Sequence, residues 1–465
     1  MLQLQRGAYS ICGWMHGQRR DSREMKWFKR LILVFTVLIA ILAAVPLLVS
    51  LDDYRPQLEK MVSGKLKEPV SLKKLRFVGL PLPHLIVEGV EVGKAVDLKI
   101  AAVSVTPDLM SLLSSTKVIR RIDIEGLAIT QRALDMMPEW TKADPNAEPA
   151  AFKLLVQTIR LTHATLQLHK TTFGPFDALI AIGSDGAPER ADITARDGKF
   201  HASIEPAGEK FKVKVSAKDW RLPAGPPIHF QTLDVTGVAS PTEADFRDIK
   251  ASLYGGSIAG RIAVGWQKGL QLKGDFAVKD VELRDLVPLF SPQTRLSGRL
   301  TAKPVFTANA PKPDQIANVM KLETPFDVQG GVLKGVDIEE AATSRKGSGG
   351  ETRFDTLSGY LAMDRGTQRL TGLKVETGSM GAEGNVTIAP DKSLAGRINA
   401  KISIVGKAGV SVPLNISGTV GSPIALPAVG AIAEAGLSAG ASIGAKLGGW
   451  ASGILGGDKK DSTKK

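Results

Sequence analysis

The sequence is short of the residues on which most enzyme and metal sites depend. Cys12 is the only cysteine, so the chain can form neither an intramolecular disulfide nor a cysteine metal cluster. The six histidines show no H-E-x-x-H pairing, and no G-x-x-x-x-G-K-[ST] loop is present to hold a nucleotide phosphate. A G-x-S-x-G segment occurs at 436–440, but a hydrolase of that type needs a histidine after the serine, and the last histidine is His229. We therefore expect a protein that is not an enzyme and that uses no metal or cofactor.

Acidic residues are in deficit, and the excess of positive charge lies at the two ends. The net charge is +13; residues 1–30 carry seven Lys or Arg against two acidic residues, and residues 458–465 carry four Lys against two Asp. A basic balance is typical of nucleic-acid binding. Here the first basic cluster directly precedes an apolar segment, which indicates a membrane surface rather than nucleic acid.

That apolar segment, residues 31–51, contains no charged residue and is long enough to cross a hydrocarbon core of about 30 Å. With a basic flank before it and Asp52-Asp53 after it, the positive-inside rule predicts a cytoplasmic N-terminus and a single pass. A cleaved signal peptide is the alternative, but no small-x-small cleavage site follows the run, which favours an uncleaved anchor. The side chains predicted to hold this anchor in the membrane are Leu31, Leu33, Phe35, Leu38, Leu42 and Leu47.

Beyond the anchor, apolar and polar residues alternate with the period of a strand. In ASLYGGSIAGRIAVGW, at 251–266, apolar residues fall on one face and Arg261 on the other, and the pair Gly255-Gly256 predicts a tight turn. The same alternation recurs in FKVKVSAKDW, LQLKGDFAVK and LAGRINAKISI. The apolar strand faces proposed as functional are those of Phe211, Val213, Val215, Ile258, Ile262, Val264, Leu270, Leu272, Phe276, Val278, Ile398 and Ile402.

Helices are few in this pattern. A short amphipathic helix is predicted from the acidic and proline residues at 52–56, and another after Pro107. Proline-rich residues 135–151 are the best candidate for a linker. The predicted divisions are a basic tail, a transmembrane helix, an N-terminal region, this linker, a main β region and a glycine-rich helix with a lysine-rich tail, at 1–30, 31–51, 52–134, 135–151, 152–427 and 428–465.

The glycine-rich C-terminal segment has a period of four. Gly436, Gly440, Gly444 and Gly448 would form one smooth stripe on a helix, which permits close approach of a second helix. One interpretation is a helix that contacts a membrane or a partner; the other is a capping helix or a flexible tail.

Strands with one apolar face must cover that face, and the predicted helices are too few to do so. Sheets longer than about ten strands curl or split. Two arrangements follow: two sheets packed on each other around a core, or one long sheet curled around an apolar furrow.

Several further motifs follow one another along the chain. After the basic flank and anchor come LDDYRPQLEK, PVSLKKLRF, GLPLPHLIVEGVEVG, TPDLMSLLSS and VIRRIDIEGLAIT. Towards the C-terminus come LYGGSIAGRIAV, LQLKGDFAVKDVELRDLV, LSGRL, PFDVQGGVLKGVDI and VPLNISGTVGSPIALP. In their number and order these motifs resemble those of the AsmA family of bacterial envelope proteins. The resemblance covers most of residues 26–427, while the middle, roughly 133–235, is similar only in its general pattern of strands.

The resemblance implies a relative of bridge-like lipid transfer proteins, anchored in the inner membrane of double-membraned bacteria with its bulk in the periplasm. The fold it implies is mainly β: an elongated, curled antiparallel sheet with an apolar, taco-like groove, a transmembrane helix and few short helices. The expected function is binding and conduction of phospholipid during outer-membrane biogenesis. The expected partners are phospholipid, the inner membrane and, at the C-terminus, outer-membrane or other envelope proteins, with no nucleic acid. The alternative is a scaffold for outer-membrane protein assembly, acting by strand addition without carrying lipid.

Overall fold

The computed structural model describes residues 51–79, 82–140, 153–168, 171–223, 225–312, 315–343, 347–404 and 407–428. Within these ranges, no helix is both long and apolar enough to cross a membrane. The predicted anchor residues Leu31 to Leu47 and the glycines from Gly436 to Gly448 lie outside the described residues.

The described part of the chain is mainly β, as predicted, and its 25 strands form a single sheet. The strands before the middle of the chain are β1 (Val70–Ser71), β2 (Lys74–Val78), β3 (His84–Val92), β4 (Leu98–Pro107), β5 (Thr116–Glu125), β6 (Ala128–Thr130), β7 (Lys153–Val156), β8 (Thr158–Leu168), β9 (Thr171–Ile182), β10 (Pro188–Ala195), β11 (Phe200–Ala207) and β12 (Lys210–Arg221). The remaining strands are β13 (His229–Ala239), β14 (Glu243–Leu253), β15 (Gly256–Gly265), β16 (Leu270–Glu282), β17 (Leu296–Ala302), β18 (Val305–Ala310), β19 (Lys321–Lys334), β20 (Glu351–Asp364), β21 (Thr367–Glu376), β22 (Met380–Ile388), β23 (Leu394–Ile404), β24 (Lys407–Thr419) and β25 (Ser422–Pro427).

The described helices are short. They are α1 (Arg55–Leu66), α2 (Gln131–Trp140), α3 (Leu283–Phe290), α4 (Ile316–Val319) and α5 (Ile338–Thr343). Two 3-10 turns are also present, at Leu51–Tyr54 and Met110–Leu113. The helix expected after Pro107 is thus only a turn, and its Leu113 side chain is exposed. Helix α2 occupies 131–140, so the first part of the predicted linker is helical, and residues 141–152 lie outside the described residues.

Pairing between strands that follow one another along the chain builds almost the whole sheet. Four rows contain two successive strands each (β1 with β2, β5 with β6, β7 with β8, β17 with β18), so the 25 strands make 21 rows. At a spacing of about 4.8 Å per row, the sheet measures roughly 95 Å along its hydrogen-bonding direction.

The sheet is mostly antiparallel, as expected, but it is mixed at one place. β5 pairs in parallel with β7 and β8, and β6 pairs in parallel with β8, so the sheet is mixed. Parallel neighbours need a long crossover, usually containing a helix. The chain provides one between Thr130 and Lys153, and α2 is part of it.

The sheet curls on itself towards its C-terminal end. Side chains from β17, β19 to β25 and α5 line one common cavity, which a flat sheet would not allow. The curl is held by contacts across the gap, because Ala425 donates its backbone N–H to Gly347 at 2.6 Å and Ser348 forms an isolated bridge with Ile424.

Helices cover the apolar face of the sheet only near its two ends. At the N-terminal end, Leu58, Val62 and Leu66 recur every four residues along α1 and pack on the buried residues Val70 and Val92. Met61, also on α1, does not pack with them and is 70% exposed. At the C-terminal end, the apolar residues of α3 and α5 pack on β16, β17 and β19 to β25.

At both outer edges of the sheet, some backbone N–H groups are occupied or missing, which hinders pairing with a further strand. Along β1 and β2, backbone N–H groups are taken by side chains of the N-terminal turn and helix: Leu72 donates to Glu59 at 2.8 Å and Leu75 to Asp52 at 2.9 Å. The other edge, β25, contains Pro423 and Pro427, which have no N–H to offer to a further strand.

Glu282 ties α3 to the sheet and gives a test of this packing. Its side chain accepts hydrogen bonds from the backbone N–H of Arg284 at 3.0 Å and of Gly298 at 3.1 Å. Burial alone would raise the pKa of this carboxyl, but the two hydrogen bonds, with the charges of Arg284 and Arg299, outweigh burial and lower the pKa.

We expect Glu282→Ala to lower the free energy of unfolding by about 1 kcal/mol at pH 7, because α3 loses its N-cap. A lowered folded-state pKa stabilises the protein above the unfolded pKa, and this contribution disappears as pH falls through the folded value. The stability difference between parent and variant, measured by chemical denaturation from pH 7 to pH 3, should therefore shrink on acidification. A difference that is constant with pH would contradict this role for the charge.

Candidate functional site

Cross-strand register places the predicted apolar residues on one continuous face. Val213 lies opposite Ile204 and Gly237, and Val215 lies opposite Ala202 and Val235. The same matching runs on through Phe246 with Ile262, Val264 with Leu272 and Leu272 with Ala308. It runs in the other direction through Ile193 with Ala178, Ile180 with Ile159 and Ile159 with Ile122. We call the part of this face carried by β5 to β16 the apolar track.

The apolar track is largely uncovered. The four buried clusters formed by described residues contain no side chain from β5 to β14. In β15, Ile258, Ile262 and Val264 are half-buried while their neighbours Arg261 and Ala263 are exposed. A packed core would bury the apolar members almost completely. The track is therefore an accessible apolar surface along the middle of the sheet.

Phenylalanine rings lie flat on this surface because glycines stand opposite them. A Cβ on Gly260 would come within 2.5 Å of the ring of Phe276, and a Cβ on Gly274 within 2.6 Å of the ring of Phe306. The rings of Phe276 and Phe306 are stacked, with centroids 5.9 Å apart and planes 6° apart. These large apolar side chains therefore form the surface of the track without projecting from it.

The opposite face of the same strands is charged and wet. Arg261 pairs across strands with Asp275 at 2.6 Å, and this hydrogen bond raises the pKa of Arg261. Arg190 bonds Asp192 at 2.7 Å, which lowers the pKa of Asp192. Exposed pairs of this kind add little stability, but they keep this face of the sheet hydrated.

Not all twelve predicted residues belong to the open surface. Val278 and Ile398 are buried, and Ile258 and Ile402 pack against the same helix-covered clusters. The eight that lie on the open track are Phe211, Val213, Val215, Ile262, Val264, Leu270, Leu272 and Phe276. Lipid binding by any of the twelve stays a prediction.

Sequence reasoning missed a cavity at the curled end of the sheet. This apolar cavity, which we call the end cavity, has a volume of about 280 Å³ and lies between α5, β17 and β19 to β25. Its walls include Phe326, Leu357, Leu373, Val386 and Ile416. An engineered apolar cavity of about 150 Å³ already binds benzene, so this one has room for an acyl segment.

In the described part of the chain, no group of three or more His, Cys, Asp or Glu side chains could hold a metal ion. Comparisons with known protein families, with curated proteins and with solved structures found no match to this chain. The architecture itself is therefore the basis of the functional argument.

The close contact between Gly260 and the ring of Phe276 can be tested by alanine substitution. A methyl group at Gly260 would meet the ring of Phe276 and the backbone oxygen of Asp275, whereas a methyl group at Gly381, also within a strand, would have no such neighbour within 4 Å. We expect Gly260→Ala to cost about 1–3 kcal/mol of unfolding free energy by overpacking, and Gly381→Ala to change it by less than about 0.5 kcal/mol. Equal effects in chemical denaturation would show that the close ring contact does not matter.

Proposed function

We propose that this protein binds phospholipid on the apolar track and conducts it along the sheet during outer-membrane biogenesis. The observation that carries the proposal is the accessibility of the track: matched apolar residues run across β9 to β14 and on to Ile262, Val264 and Leu272, and among the described residues none of these side chains belongs to a helix-covered cluster. Acyl chains are the natural cover for such a surface in water.

The energetics favour movement along the track over movement through water. Each CH₂ group removed from water gains about 0.8 kcal/mol, so extracting an acyl chain into water has a large barrier. On the track, a chain that leaves one row contacts the next row about 4.8 Å away. The free energy along the path is therefore nearly level, and no nucleotide-driven step is part of the proposal.

The setting of this function is also a proposal. The basic flank and uncharged run at 31–51 would anchor the chain in the inner membrane of a bacterium with two membranes, with the sheet in the periplasm. The motif order that resembles the AsmA family agrees with the long curled sheet and few helices. Within this proposal, membership of that family is an inference from motifs and architecture together.

The alternative is a scaffold that binds outer-membrane proteins by strand addition. Its structural requirement is a free edge, and the described edges offer little: side chains of the N-terminal turn and helix occupy N–H groups of β1 and β2, and prolines interrupt β25. Lipid binding is accordingly the better-supported function.

Photo-crosslinking in cells tests the proposal directly. Benzoylphenylalanine would replace Ile262, which faces the track, or its neighbour Arg261, which faces the charged side. We expect lipid adducts, identified by mass spectrometry of the full chain, at Ile262 and not at Arg261. Protein adducts without lipid at Ile262 would favour the scaffold.

Charges on the track should block loading. Val264→Asp with Phe276→Asp, made in the Ile262 crosslinking chain, should lower the lipid adduct at least about tenfold, because loss of contact with only about two CH₂ groups already costs the roughly 1.4 kcal/mol of a tenfold change. Ala263→Asp with Ala277→Asp adds the same charge to the exposed face of the same two strands and should leave the adduct unchanged. Both variants must still unfold cooperatively. Loss of folding in the Val264 and Phe276 variant would mean that these two residues belong to the core.

A further inference from the structure

A second cavity, which we call the vestibule, adjoins the end cavity. It has a volume of about 590 Å³ and lies between α3, β17, β19 and β20. Thr294, Arg295, Leu296 and Lys334 line both spaces. The apolar end cavity therefore lies next to the vestibule and shares its rim.

The vestibule is strongly basic. Arg284, Arg295, Lys334 and Arg353 line it, against the single acid Glu351, which pairs with Arg353 at 2.8 Å. Among the described residues, no carboxylate lies within 4 Å of the charged nitrogens of the other three cations. Four cations against one carboxylate give the vestibule a net positive charge, which would attract an anion.

Strand alternation sets cationic and apolar groups side by side at the shared rim. Lys334 donates its backbone N–H to Arg295 at 3.0 Å, and the next residues inward, Leu296 and Leu333, are directly paired. Both leucines line the end cavity. An amphiphile could therefore place its chain among the leucines while its headgroup stays within reach of both cations.

We propose that the vestibule and the end cavity together form a binding site for an anionic lipid, with its phosphate at Arg295 and Lys334 and an acyl chain in the end cavity. The proposal deepens the proposed function and rests on it, since it takes lipid to be the cargo. Phosphate suits the site because guanidinium and ammonium groups donate strong charge-assisted hydrogen bonds to it. A choline headgroup brings its own positive charge to the three unpaired cations, so the site selects against it.

The test uses the full chain in nanodiscs of phosphatidylcholine and measures binding by equilibrium dialysis, with protein-free discs subtracted. The probes, at submicellar concentration, are dodecyl phosphate, dodecylphosphocholine with the same chain, and glycerol 3-phosphate with no chain. We expect saturable binding of dodecyl phosphate, with both other probes at least about tenfold weaker.

Paired variants assign that binding to the site. Arg295→Ala with Lys334→Ala should weaken dodecyl phosphate roughly tenfold or more. Lys212→Ala with Lys214→Ala removes the same charge from exposed positions on β12 and should have no effect. Leu373→Trp, which fills the end cavity, should weaken the binding of dodecyl phosphate as well. If that variant does not fold, the test depends on the Arg295 and Lys334 variant, whose substituted residues are exposed.

Three results would overturn the proposal: equal affinity for the two dodecyl probes, parental affinity in the Arg295 and Lys334 variant, or glycerol 3-phosphate binding as tightly as dodecyl phosphate, which would mark a site for free phosphate. Its failure is distinguishable from failure of the proposed function. Lipid adducts at Ile262 with parental affinity in the Arg295 and Lys334 variant would retain conduction and reject this site. Selective binding without adducts at Ile262 would retain the site and reject conduction along the track.

Discussion

Side chains alternate between the two faces of a strand, so a shift of one residue in any pairing would carry that strand's apolar residues to the charged face. The sheet keeps this phase across 21 rows. Tight hairpins help to hold it: Tyr254 and Gly255 both have positive φ, and they join Leu253 directly to Gly256. The apolar track, the charged outer face and the mixed rim of the vestibule all follow from this one geometric condition.

The distribution of helices gives different roles to different parts of the same face. Where α1, α3 and α5 pack on it, the face is a conventional core with fully buried residues such as Val92, Val281 and Leu414. Between these ends most of the large apolar side chains are half-buried, and the buried members of the face are mostly alanines, such as Ala202 and Ala217. Covered ends supply the stability that an exposed apolar surface cannot, and they do so without interrupting the uncovered middle.

Local patterns were sufficient to predict the strands and their apolar faces. The alternation at Phe211 to Val215 and Ile258 to Val264 was read correctly because it depends only on neighbouring residues. The turn, however, lies at Tyr254-Gly255 and not at Gly255-Gly256, because Gly256 already belongs to β15. Helix α3 was also missed, although Glu282 followed by Leu283, Leu286 and Val287 is a helix-start signal with apolar residues at helical spacing. The end cavity and the ring-on-glycine contacts depend on which strands become neighbours and on how far the sheet curls. Neither can be predicted from a single segment of the sequence.

Strand pairing from β8 to β16 joins only strands adjacent in the chain. Such an arrangement is quasi-one-dimensional, like that of repeat proteins. A hairpin such as β11–β12 could be lost or duplicated while β10 and β13 still met with opposite directions, the correct orientation for an antiparallel pair. Evolution could thus adjust the reach of this protein in steps of two strands, about 10 Å, leaving the two helix-covered ends untouched. Span would then be a heritable variable largely independent of what either end recognises.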